Sequence, residues 1–164
     1  MKGKPIRSFS LCVLLLLGAS ASAFGQDDDA RARSLAQRIL DRGAALFDKR
    51  DAAAMAATYV EDAAAMLSKR EGDTREVKLE VTRGRAEIEK AYAKVFKDRL
   101  PEHRCRNTVE SARFLGPELL LIQGRFALDR NQSDVIQFVQ IRARQGDEWK
   151  IVTLHLMPLP AQNP

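Results

Sequence analysis

Residues 104–157 read RCRNTVESARFLGPELLLIQGRFALDRNQSDVIQFVQIRARQGDEWKIVTLHLM, and this stretch decides the fold. Three turn signals divide it: Gly116-Pro117, Asn131-Gln132-Ser133 and Gln145-Gly146-Asp147. Between them lie four runs rich in branched and aromatic residues: Arg104–Leu115, Glu118–Asp129, Asp134–Arg144 and Glu148–Met157. Such residues favour strands, whereas Gly, Asn and Pro favour tight turns. Long strands joined by tight turns make an antiparallel meander.

Upstream of the meander the periodicity changes. Leu35, Ile39, Leu40, Gly43, Leu46 and Phe47 recur at helical spacing, which predicts an amphipathic helix over Asp29–Lys49. Asp27, Asp28 and Asp29 stand at its expected start, where negative charge suits the helix dipole. Asp51 is a candidate N-cap for a second helix through Val60. Ala63–Leu67 and the alternating Val77, Leu79 and Val81 predict two short strands joined by a polar turn. Gly84 opens a third helix, with Ile88, Ala91, Tyr92, Val95 and Phe96 on one face. Helices first and a long sheet last give an α+β fold, three N-terminal helices packed on a curved antiparallel sheet.

The N-terminus reads as an export leader. Lys2, Lys4 and Arg7 precede the apolar run Leu11–Leu17, and Ala21-Ser22-Ala23 has the small-x-small cleavage pattern. The run is far short of the ~20 residues a membrane-spanning helix requires, so no membrane association is expected after cleavage. We therefore divide the chain into a signal peptide (1–23), one domain (24–157) and a proline-containing tail (158–164). Loss of Lys2, Lys4 and Arg7, with no acid among the first 23 residues, lowers the net charge from +5 to +2. A near-neutral chain with interspersed charges argues against a nucleic-acid partner. Export to the periplasm or beyond permits disulfides, but Cys105 is the one cysteine left, so the fold must rest on its core.

Three segments carry a resemblance to a known family. Asp51–Ala63, DAAAMAATYVEDA, is similar to an aspartate-capped helix ending in an aromatic and Asp-Ala. Arg83–Ile88 is similar to the glycine before the family's third helix, and Gly146–His155 resembles a last strand in which a tryptophan precedes a histidine by six positions. With the order of elements, these resemble the cone-shaped nuclear transport factor 2-like superfamily, also called SnoaL-like, ketosteroid isomerase-like or cystatin-like. The resemblance implies a pocket inside the cone, dimerisation through the outer sheet face, and functions ranging from isomerase and dehydratase to assembly module.

Strict alternation along the last strand places Trp149, Ile151, Thr153, His155 and Met157 on one largely apolar face, taken as the inner one. His155 there is a candidate proton carrier, the alternative being a core histidine bonded to a neighbour. Arg125, with Gln123 on the same strand face, is a candidate clamp for a carboxylate or phosphate, the alternative being an arginine on the outer face. Gln137, a polar residue between Val135 and Val139, is a further candidate pocket donor, and Trp149 a candidate ligand contact. By the resemblance, Tyr59 could donate to an oxyanion and Asp62 act as a carboxylate base. Their alternatives are a core aromatic and a turn residue. His103, Cys105 and His155 are too few for a structural zinc site, and no cofactor-binding motif is present, so neither metal nor cofactor is expected.

The sequence thus points first to an exported small-molecule-binding protein. A non-catalytic homodimeric binding module is the second reading, with Ile136 and Phe138 as candidate interface residues. An acid–base enzyme using Tyr59, Asp62 and His155 is the third.

Overall fold

The computed structural model describes residues 21–70, 77–100, 103–128 and 135–158. The expected leader, apart from its last residues, and the tail beyond Pro158 lie outside these residues, as do the turns at 71–76 and 129–134. The elements are α1 (Ala21–Asp48), α2 (Ala52–Ala56), β1 (Tyr59–Arg70), β2 (Val77–Arg83), α3 (Arg85–Lys97), β3 (Cys105–Gly116), β4 (Leu119–Leu128), β5 (Val135–Gln145) and β6 (Glu148–Pro158). No helix among the described residues is long and apolar enough to cross a membrane.

The fold is α+β, with one six-stranded sheet in the order β2-β1-β6-β5-β4-β3. β3 to β6 form the expected antiparallel meander. β1 departs from it. It pairs antiparallel with β2 but parallel with β6, so the sheet is mixed. That crossover carries the chain from the helices to the middle of the sheet.

Two helix boundaries differ from the sequence expectation, and one agrees with it. α1 is already helical at Ala21, the first described residue, so Asp27–Asp29 lie inside the helix, and Asp28 accepts from Arg31 at 3.3 Å. Asp51 does cap α2, its Oδ1 accepting from the Ala54 amide at 2.9 Å. The helix nevertheless stops at Ala56 and not at Val60. The Thr58 carbonyl accepts from the Ile151 amide at 2.8 Å, drawing the following aromatic and β-branched residues, Tyr59 and Val60, into β1. Gly84 holds φ at 81°, a left-handed value that a side chain would strain, and starts α3.

The core lies between the helices and the inner sheet face. Ala32, Ala36, Ile39 and Leu40 of α1 are buried on one helical stripe with Ile88 of α3 and with Ala112, Leu120 and Ile122 of the sheet. Polar pairs fix α1 against β3. Gln37 accepts from the Val109 amide and donates to the Asn107 carbonyl, both at 3.2 Å, beside the irregularity in β3 between Val109 and Ser111.

Candidate functional site

The helices do not fill the concave face of the sheet. A cavity of about 710 Å³ remains beneath them. Its floor is the inner register of the strands: Phe126 on β4, Ile136 and Phe138 on β5, and Ile151, Leu154 and Leu156 on β6. Phe47 of α1 and Tyr92 of α3 close it above, and Phe47 packs edge-on against Phe96 and Phe126 at 5.0 and 5.4 Å between ring centres. Arg42, Asp147 and Glu148 stand exposed at the rim.

Polar groups enter this apolar space at a few points. Arg142 of β5 is 5% exposed. Its Nε donates to Gln140 Oε1 at 2.9 Å and its Nη1 to the Trp149 carbonyl at 2.8 Å. Burial lowers its pKa to about 10, and Arg42 pushes the same way. The hydroxyls of Tyr59 and Tyr92 lie 2.8 Å apart. Burial raises both phenols above their ordinary value, so both stay protonated at neutral pH. One O–H serves the contact between them, which leaves the other for a further acceptor.

At the opposite end, Arg99 is a structural staple. Its guanidinium bonds Asp48 at 2.5 Å, the Phe47 carbonyl at 2.6 Å and the His103 carbonyl, and stacks over the Phe47 ring. It thereby ties the C-terminus of α1 to the chain entering β3. Asp48 also accepts from the Cys105 amide at 3.0 Å. Burial, with Asp48 alongside, pushes the Cys105 thiol up to about 12. No group of three or more metal-ligating side chains occurs among the described residues.

Of the residues singled out from sequence, Tyr59 and Trp149 line the cavity. The others do not. A bulge in β6, opposite the Ile141–Arg142 step, shifts the alternation, so Ile151, Leu154 and Leu156 face inward and His155 turns to the outer face. There its Nε2 lies 2.8 Å from Ser68 Oγ, the structural alternative raised above. Arg125 is on the outer face too, half-exposed and bonded to Glu110 at 2.8 Å. Gln123 accepts from Ser111 at 2.7 Å on the same face. Gln137 pairs in register with Arg125 there. Asp62 is exposed and lies in β1, away from the cavity. The register therefore does gather Arg125, Gln123, Gln137 and His155 on one face, but it is the face away from the cavity. Conversely, Ile136 and Phe138, expected on an outer face, line the cavity.

No protein-family model and no curated protein matches this chain. Solved structures do. A cystatin-like-fold domain of unknown function from Nostoc punctiforme PCC 73102 is 15% identical, with a TM-score of 0.62, over 79% of this chain and 78% of that one. A nuclear transport factor 2-like protein of unknown function from Pseudomonas putida KT2440 is 15% identical, with a TM-score of 0.61, over 82% and 98%. The chain has the nuclear transport factor 2-like, cystatin-like fold. A proposed scytalone dehydratase from Novosphingobium aromaticivorans has it too, at 12% identity and TM-score 0.61 over 82% of this chain and 88% of that one. At such identities the likeness concerns the fold alone. Proteins of this nuclear transport factor 2-like fold differ in function, so the residues in the cavity must carry the argument.

Arg142 and Gln140 went unnoticed in the sequence. The signal was there: they continue the alternation of Ile136 and Phe138, so any assignment that buries those two buries Arg142 as well.

Proposed function

We propose that this chain is an exported protein that binds a small molecule inside the cone, between the helices and the concave sheet face. The cavity itself carries the proposal. At about 710 Å³ it falls within the roughly 300–1,000 Å³ of small-molecule sites, and it has their make-up, apolar walls with a few convergent polar groups. The isomerase-type alternative has less support. Asp62 is outside, and the carboxylates that reach the cavity, Asp98, Asp147 and Glu148, are exposed at its edge, where water competes for any proton. Export rests on the leader at residues 1–23, and fractionation of the expressing cell tests it.

The cavity reading is tested with the neutral fluorescent probe N-phenyl-1-naphthylamine. Saturable fluorescence is expected with the wild-type protein and its loss with Leu67→Trp, which fills the cavity from β1. A wild type giving no saturable signal would refute the proposal.

One observation favours pairing with a second copy as well. Val77, Leu79 and Val81 are 61%, 51% and 44% exposed, and they lie on the outer face beside Met66 and Ser68 of β1. An exposed apolar stripe of this kind is a common association surface. Sedimentation analysis of Val81→Glu tests it. A dimeric wild type and a monomeric variant are expected, and a monomeric wild type at high micromolar concentration rules it out.

A further inference from the structure

Arg142 is a cation that the protein does not itself neutralise. It is almost wholly buried, and no ion pair includes it among the described residues. Its two hydrogen-bond partners, Gln140 and the Trp149 carbonyl, are neutral. A guanidinium carries five N–H donors. Two are used, and the remaining three, including both on Nη2, meet no acceptor among the described residues. The neighbouring cation at the rim, Arg42, raises the local positive potential further. Buried charges are normally paired, and an unpaired one in the wall of a cavity leaves a place for a counter-charge. A purely structural role as a tie between Gln140 and the start of β6 would use only two of the five donors.

We infer that the ligand is an apolar molecule ending in a single carboxylate, seated on the free edge of the Arg142 guanidinium, a conclusion that presupposes the cavity to be the ligand site. The planar fork of donors matches the two oxygens of a carboxylate. The spare hydroxyl hydrogen of the Tyr59–Tyr92 pair is a further donor in the same cavity. One charge suits the site better than two. Of the two buried guanidiniums in the cavity wall, Arg99 is already paired with Asp48, so Arg142 alone lacks a counter-charge, and a dianion would bring an uncompensated charge into an apolar space. The rest of the ligand meets Phe47, Phe126, Phe138 and Leu156, which offer it no hydrogen bond, so its body is hydrocarbon, aromatic or aliphatic.

The test is isothermal titration of the purified protein with three acids, 2-naphthoate, 4-phenylbutyrate and decanoate, each beside its methyl ester. The expected result is that at least one acid binds about tenfold or more tighter than its ester, as for a charge-assisted hydrogen bond. In Arg142→Met the acid should fall to the affinity of the ester, while the ester is unchanged. The comparison of acid with ester in the wild type stands even if that variant fails to fold. Equal binding of acids and esters, or no binding of any acid while N-phenyl-1-naphthylamine still binds, overturns the carboxylate and leaves the cavity reading intact. Failure of the neutral probe as well removes both.

Discussion

Gly124 sits in β4 where two neighbours converge on its missing side chain. A Cβ there would lie 2.4 Å from the Thr108 carbonyl oxygen of β3 and 2.8 Å from Cζ of Phe138 on β5. Both are far inside contact distance. The Phe138 ring can swing only into the cavity it lines, and the Thr108 oxygen is main chain. Gly124→Ala must therefore displace β3 by on the order of 1 Å, or move the ring, or both. Overpacking of this kind costs about 1–3 kcal/mol, and a main-chain obstacle places it near the upper end. The gain in backbone entropy from replacing glycine offsets about 0.5–1 kcal/mol. The expected net loss is about 2 kcal/mol, or roughly 6 °C in Tm for a chain of this size. Gly43 in α1 supplies the control, because a Cβ there meets nothing within 4 Å. Gly43→Ala should gain up to about 1 kcal/mol from helix propensity. Urea unfolding followed by the fluorescence of Trp149, the single tryptophan, measures both. If Gly124→Ala proves as stable as the wild type, the close approach of β3, β4 and the Phe138 ring is wrong, and with it the shape of that cavity wall.

Asp48→Ala strands the buried Arg99 guanidinium and should cost about 3–5 kcal/mol, much of it recovered in Asp48→Ala/Arg99→Met; a loss under 1 kcal/mol by urea unfolding would show the pair to be incidental. Tyr59→Phe leaves the buried Tyr92 hydroxyl without its partner and should cost about 1–2 kcal/mol, with Tyr59→Phe/Tyr92→Phe costing less than the sum of the single changes; additive losses would place the two hydroxyls apart. The Cys105 thiol, pushed up to about 12, should react with iodoacetamide at pH 8 far more slowly than a free cysteine. Its pKa is higher in the folded state than in the unfolded one, so its contribution to stability is complete below about pH 9 and is lost as pH rises toward about 12. Cys105→Ala should flatten the fall in Tm over that window, and an unchanged slope would assign the fall to other groups, such as the raised phenols of Tyr59 and Tyr92. Arg142→Met should fold with a stability within about 1 kcal/mol of the wild type, and a loss above 3 kcal/mol would make Arg142 a structural tie.

The sheet was legible in the sequence because its turns are marked. Gly116-Pro117 and Gln145-Gly146-Asp147 bracket β4 and β6 to within a residue or two. The faces were not, because period-two alternation holds only while the ladder is regular. One extra residue in β6 reverses every side chain beyond it, which is why His155 was expected inside and lies outside. On β4 and β5 the alternation was read correctly but assigned to the wrong side. Gln137 looked conspicuous between Val135 and Val139, yet that is the outer register. Which face is concave depends on how α1 meets β3, through contacts such as Gln37 with Val109, and no local pattern encodes them. Helix α2 ran too long in the sequence reading for the same kind of reason. Its alanine-rich stretch favours helix locally, and pairing with a strand nearly a hundred residues away prevails from Tyr59 on.

The energetics of Arg142 bear on the site in a way that geometry alone does not. Lowering its pKa from 12.5 to about 10 means that burial disfavours the charged form by about 3 kcal/mol. Replacing it with methionine removes that penalty but leaves Gln140 Oε1 and the Trp149 carbonyl without their donor, at about 1–2 kcal/mol each. The two effects are of similar size and opposite sign, so the fold gains little from the arginine. A staple such as Arg99 is different, because its guanidinium meets a carboxylate and two carbonyls, and stability explains it. Arg142 has the same burial without the same partners. What would turn its burial from a cost into a gain is a negative charge in the cavity, which would restore the guanidinium to its ordinary pKa and occupy its idle donors. The apo protein then carries a strain that its ligand relieves, and the relief is itself binding energy. At equal free concentration well above both Kd values, an acid that binds at Arg142 should accordingly stabilise the protein more than its ester, by about 1.4 kcal/mol for a tenfold difference in Kd, and equal shifts in Tm would show that Arg142 gains nothing from the charge.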